Sequence, residues 1–225
     1  MSRFVKLLLA FLLIIGLLSA MFGGVAIFLI GNRVVEEAQN RVESDLNASR
    51  EMYAAYSAAL YDLVRFSADR FYLRNALLAG VPSIAAGELL GTMLQEGLDY
   101  LSLTGPDGVV TLRVGNPGAA GDSQAGDLVV AAVLESRLPA VGSAVFTAER
   151  LALESPDMVE QARLDLVETQ AARPREETVE TSGLVLQAAA PVIDYNGEIL
   201  GVLYAGRLLN RRLEIVDLIK ETVFA

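Results

Sequence analysis

The chain has 225 residues, 53% of them hydrophobic, a formal net charge of -10, and neither histidine nor cysteine. Without those two residue types there is no thiol nucleophile, zinc–thiolate site, Ser-His-Asp or Cys-His arrangement, or disulfide staple. The acidic balance argues against a nucleic-acid partner, and the length accommodates one substantial domain with accessory elements.

In chain order, Arg3 and Lys6 precede a run from Leu7 to Gly31 that carries no charged residue. That run is long enough to cross a bilayer core of about 30 Å, and the basic flank leaves the N-terminus in the cytoplasm. The expected division is a cytoplasmic N-terminus at 1–6, a transmembrane anchor at 7–31 and an extracytoplasmic domain at 32–225. A cleaved signal peptide is the competing reading, with Ser19-Ala20 or Gly24-Val25-Ala26 as small-residue cleavage sites. Gly16, Ala20 and Gly24 form one small-residue stripe, which predicts a homodimer through close helix approach; the alternative is the ordinary abundance of Gly and Ala in membrane helices.

From Arg33 to Ala79 there is neither proline nor glycine, and apolar residues recur at three- and four-residue spacing. This predicts one long amphipathic stalk helix, with Met52, Tyr53, Tyr56, Tyr61, Phe66, Phe71 and Tyr72 along the back of a sheet. Arg70 and Arg74, a turn apart, are either an anion-binding pair or a charged flank. Gly80-Val81-Pro82 breaks the helix, and Ser83 is the expected N-cap of a shorter one ending near Gly97.

The period then changes. Asp99 to Thr104, the turn Gly105-Pro106-Asp107-Gly108, and Val109 to Val114 read as a hairpin on which Thr111 and Arg113 share one face, as do Tyr100, Ser102 and Thr104. Gly115 to Asp127 reads as an irregular loop, Leu128 to Arg137 as a short apolar helix and Gly142 to Thr147 as a strand. Glu154 to Glu180 is charged and aperiodic apart from a helical patch at Met158 to Thr169, and reads as a surface excursion. Gly183 to Leu209 is the central hairpin, its arms joined at Asp194-Tyr195-Asn196-Gly197 by an expected type I′ turn. Both faces of its first arm are apolar, so it is covered on both sides. Small residues from Ala188 to Gly206 leave room for either close packing or a ligand. Asn210 to Phe224 predicts a closing helix with Asn210 as N-cap. The fold class is α+β: a transmembrane helix, a long stalk helix, one antiparallel sheet of about five strands and a C-terminal helix.

Several phrases carry a resemblance to a known family. They are Asp107-Gly108-Val-Val-Thr-Leu-Arg113, Asn116-Pro117, Gly121-Asp122, Ala190-Pro191-Val-Ile-Asp194 and Asn196-Gly197-Glu-Ile-Leu-Gly201-Val-Leu-Tyr-Ala-Gly206. In this order, after an anchor and a long helix, the chain from about residue 33 to 225 resembles the Cache family of PAS-like extracytoplasmic sensor modules, of the single-Cache or Cache-fusion type. The resemblance implies a PAS-like sheet and a ligand-sensing module of a sensor histidine kinase or chemoreceptor. Family ligands are organic acids, amino acids and other small metabolites. Such receptors usually continue into a second membrane helix and an output domain; this chain stops at Ala225, which leaves a fragment and a stand-alone sensor both open.

The expected partner is therefore a small molecule, a carboxylate among the candidates, with no cofactor, metal or catalytic residue. Alternation places Tyr100, Thr111, Arg113, Gln187 and Tyr204 in the ligand site, under the 115–127 loop and the helix after it. Arg113 offers a planar fork to a carboxylate, and an internal salt bridge to Asp122 or Asp127 competes with that role. A structural or assembly protein is the main alternative. An anchored enzyme is the weaker one, because the only lysines are Lys6 and Lys220 and the carboxylate pairs Asp122/Asp127 and Asp194/Glu198 sit in turns.

Overall fold

The structure, a computed structural model, describes residues 3–167, 169, 177–212 and 217; in the first helix it describes side chains at 4, 11–23, 33 and from 36 onward. The described residues divide into two units, one up to Glu51 and one from Met52 onward. The first is helical over its described residues, as part of α1 (Arg3–Ala68). Among the described residues no helix is long and apolar enough to cross a membrane. Much of the expected anchor, 7–10 and 24–31, has its side chains outside those described.

The second unit is an α+β domain. After the end of α1 come α2 (Phe71–Leu78), a 3₁₀ turn (Pro82–Ala85), α3 (Ala86–Gln95), β1 (Tyr100–Thr104), β2 (Val110–Arg113), α4 (Leu128–Ser136), β3 (Ala140–Phe146), α5 (Ala148–Glu154), α6 (Asp157–Ala162), the short pair β4 (Leu164–Asp165) and β5 (Val179–Glu180), then β6 (Gly183–Ile193) and β7 (Ile199–Leu208). Five strands form one antiparallel sheet in the order β2-β1-β7-β6-β3, so the β6–β7 hairpin is central as its two apolar faces require.

Each sheet face has its own core. On one, Leu101, Leu103, Leu112, Leu186, Ala188, Leu203 and Ala205 meet Leu60, Val64, Ala68, Leu73, Ala76, Leu89 and Met93 of the N-terminal helices. On the other, Tyr100, Val110, Val185, Ala189, Val202, Tyr204 and Leu208 meet Val129, Val130, Val133, Leu151, Met158 and Ala162 of α4, α5 and α6. The two are separated by the pleat alone, because successive strand residues face opposite sides.

Several local readings are corrected. The stalk helix is not continuous to Ala79: it stops at Ala68, and Arg70 is extended (ψ 133°) before α2 begins. The turn lets α2 lay Leu73 and Ala76 on the sheet while Arg74 Nε donates to the Ile193 carbonyl at 2.7 Å and its NH2 to Asp69, so Arg74 is a charged flank. The aromatics of this stretch are not the main sheet-facing residues. Phe66 and Phe71 are 60% and 66% exposed, and the aliphatic stripe Leu60, Val64, Ala68 is buried instead.

Ser83 lies within the 3₁₀ turn and caps nothing with its side chain. In the central hairpin only Gly197 of the Asn-Gly pair has positive φ (88°), and Gly197 N–H donates to the Asp194 carbonyl. The loop is thus a type I turn closed by a left-handed glycine, not type I′. The expected excursion is partly core, with Met158 and Ala162 buried. Asn210 ties β6 to α6, its Oδ1 accepting from Leu184 N–H and its Nδ2 donating to the Ala162 and Ser182 carbonyls. The helix expected after it lies almost wholly outside the described residues.

Candidate functional site

On the face roofed by α4, α5 and α6, strand register lines up two polar rows. Arg113, Ser102, Tyr204 and Ala189 stand side by side across β2, β1, β7 and β6. The adjacent row is Tyr100, Gly206, Gln187 and Gly142. Tyr100, Arg113, Gln187 and Tyr204 are all fully buried, so four of the five residues expected from alternation are brought together.

Thr111 is not. A register shift between Leu103 and Thr104 pairs Thr104 with Val110 and Leu103 with Leu112, leaving Thr111 as the extra residue of a bulge. It is exposed, and its hydroxyl donates to the Leu103 carbonyl at 3.2 Å. The bulge is also why Val110 and Leu112, two apart, enter different cores.

Arg113 organises the first row. Its NH1 donates to Asp122 Oδ1 (2.5 Å) and the Ala119 carbonyl (2.9 Å), and its NH2 to Asp122 Oδ2 (2.9 Å) and Glu154 Oε1 (3.3 Å). Its Nε lies 3.2 Å from Glu154 Oε2, an ion pair with poor hydrogen-bond alignment. Glu154 is itself fully buried and accepts from Ser102 Oγ at 2.7 Å and Tyr204 Oη at 2.9 Å. Burial would lower the Arg113 pKa, but the bonds to Asp122 and the Glu154 charge outweigh it and hold it raised. The same guanidinium lowers the Asp122 carboxyl to about 2. Burial, then the Glu154 charge, raises the Tyr204 phenol, and the same two causes raise Tyr100.

Asp127 organises the second row. It is the N-cap of α4, its Oδ1 accepting from the backbone of Val129 (3.0 Å) and Val130 (2.9 Å). The same oxygen accepts from Gln187 Nε2 at 2.8 Å, and Oδ2 accepts from Arg150 NH2 at 2.7 Å. Arg150 also stacks on Phe146, 3.7 Å from the ring centroid. Because a carboxylate only accepts, the Gln187 amide must turn its nitrogen to Asp127 and its oxygen away. That oxygen, the Tyr100 hydroxyl and Arg150 Nε are buried without a hydrogen-bond partner among the described residues.

The small residues of the central hairpin serve close packing. A Cβ on Gly206 would fall 2.6 Å from the Tyr100 ring, and one on Gly201 2.1 Å from the Thr104 carbonyl oxygen. The carboxylates weighed for an anchored enzyme each serve the fold: Asp122 binds Arg113, Asp127 caps α4, and Asp194 accepts from the backbone of Asn196 and Glu198 in its turn. Glu154 and Arg150 were missing from the residues expected at this face. Glu154 follows the buried Leu151 by three positions on α5, so an acid on the apolar face of that helix was the available signal.

No family model matches the chain, and no curated protein matches its sequence. Among solved structures it is similar to the periplasmic domain of Vibrio cholerae LuxQ, at 16% identity and TM-score 0.47 over 81% of this chain and 70% of that one. A second structure of that domain matches at 17% identity and TM-score 0.46 over the same shares. The E. coli DcuS sensor domain matches at 14% identity and TM-score 0.46 over 74% of this chain and 98% of that one. The first two are structures of a periplasmic domain and the third is a sensor domain.

Proposed function

We propose that the chain is the extracytoplasmic small-molecule sensing module of a membrane-bound signal-transduction receptor, of histidine-kinase or chemoreceptor type, and is not an enzyme. The observation that carries this reading is the roofed polar face: of four buried polar atoms without a hydrogen-bond partner among the described residues, Arg113 Nε is ion-paired with Glu154, and those on Tyr100, Gln187 and Arg150 are left. Buried polar groups ordinarily find partners, so atoms left without one at a covered site point to an occupant. Ligand binding there would favour one packing of the 115–127 loop and α4–α5 over another and so shift a two-state equilibrium.

The membrane anchor belongs to the same reading. It is supported by the charge-free run from Leu7 to Gly31 and by the exposure of Phe11, Leu13, Leu17, Met21 and Phe22, each at least 63%, on the helix. Homodimerisation through Gly16, Ala20 and Gly24 belongs to it as well.

A thermal-shift screen of the full chain in detergent against small carboxylates, amides, amines and amino acids tests the sensing site. A ligand at about 100 times its Kd adds about 2.7 kcal/mol, or about 5–10 °C in Tm for a domain of this size. A screen with no specific hit, or with hits insensitive to substitution of Tyr100, would remove the site from this face.

A further inference from the structure

The charges and unpaired atoms of this face narrow the ligand class, an inference that rests on the sensing reading above. Arg113 already meets two carboxylates, Asp122 and Glu154, so that group carries one excess negative charge. Arg150 and Asp127 balance each other. Each nitrogen of Arg113 faces an acceptor of the chain, leaving no free fork for a ligand carboxylate, which would also be a third acid beside one arginine.

Apart from Arg113 Nε, which is ion-paired with Glu154 Oε2, what remains unpaired among the described residues is of another kind. Gln187 Oε1 needs an N–H or O–H donor, Arg150 Nε needs an acceptor, and the Tyr100 hydroxyl serves as either. Tyr100 and Gln187 flank Gly206 in one row, and Gln187 and Arg150 both hold Asp127, so the three groups belong to one cluster. Tyr100, Gln187 and the Gly206 between them are buried. We propose that this face binds an uncharged small molecule through a primary carboxamide. Its N–H meets Gln187 Oε1 and its carbonyl accepts from Arg150 Nε and the Tyr100 hydroxyl.

The test uses three probes of one size, propionamide, propionate and propylammonium, titrated to about 100 mM at constant ionic strength against the full chain in detergent. A ligand of that size binds in the millimolar range. Propionamide is expected to raise Tm progressively and the two ions not to. The Tyr100→Phe variant removes an unpaired hydroxyl, so without probe its Tm should rise by about 2–4 °C while the propionamide response disappears. A propionate or propylammonium response equal to that of propionamide overturns the carboxamide class and leaves the sensing site standing. No response to propionamide overturns the class as well, and a Tyr100→Phe variant that melts earlier shows that buried water completes the cluster, which defeats the class and the site together.

Discussion

Arg113 and its two acids show how much one buried charge decides. Its guanidinium is fully buried and is held by groups 9 and 41 residues away in sequence. Of the two acids weighed as internal partners, Asp122 takes the fork and Asp127 does not. Arg113→Ala should therefore lose about 3–5 kcal/mol of stability with or without ligand, since Glu154 is left buried and uncompensated. Denaturant melts of variant and wild type read this directly, and a loss under 1 kcal/mol would contradict the buried pairing.

Asp122 gives the pH dependence. Its carboxyl sits at about 2 in the fold against an ordinary value of 3.8, so the unfolded chain binds more protons between those values. Stability from this group is complete above about pH 4 and is lost as pH falls through 2. With the side chain 34% exposed, solvent screening reduces the contribution to on the order of 1 kcal/mol. The Asp122→Asn variant should lack this step in acid unfolding while keeping the rest of the profile.

At the scale of elements, the sheet is assembled by approach distances as much as by apolar pattern. Gly201 lies against the Thr104 carbonyl where β1 joins β7, and a methyl group there meets main chain rather than a movable side chain. Gly201→Ala is expected to cost about 3 kcal/mol, the upper end of ordinary overpacking, and to weaken hydrogen-exchange protection of β1. Gly16→Ala, with nothing within 4 Å among the described residues, should leave the fold unchanged and serves as the control. Asp127 has a similar reach: by capping α4 and holding Gln187 and Arg150, it joins the roof to the sheet.

At the scale of the whole molecule, the proposed anchor and dimer are tested in the membrane. Protease added to intact spheroplasts should remove residues 32–225, and survival of the domain would reverse the topology. Gly16→Leu combined with Gly24→Leu should weaken cross-linking, because bulky side chains hold two helices apart. Among the described residues position 16 is open, so that substitution probes association rather than folding.

Local pattern alone determined the α+β class, the two hairpins, the helix at 128–136 and four of the five residues on the polar face. Strand alternation, turn glycines such as Gly108 and Gly197, and helical spacing are written within a few residues of one another. Tertiary structure decided the rest. The turn at Asp69-Arg70 carries no proline or glycine and exists because α2 finds the sheet. The bulge that ejects Thr111 comes from the pairing of β1 with β2. The conversion of part of an expected excursion into a roof, with Glu154 beneath it, follows from contacts across some 40 to 50 residues of chain. Periodicity tells which face of a segment is apolar; which segment covers it, and which acid meets a buried arginine, is settled only when distant parts of the chain pack together.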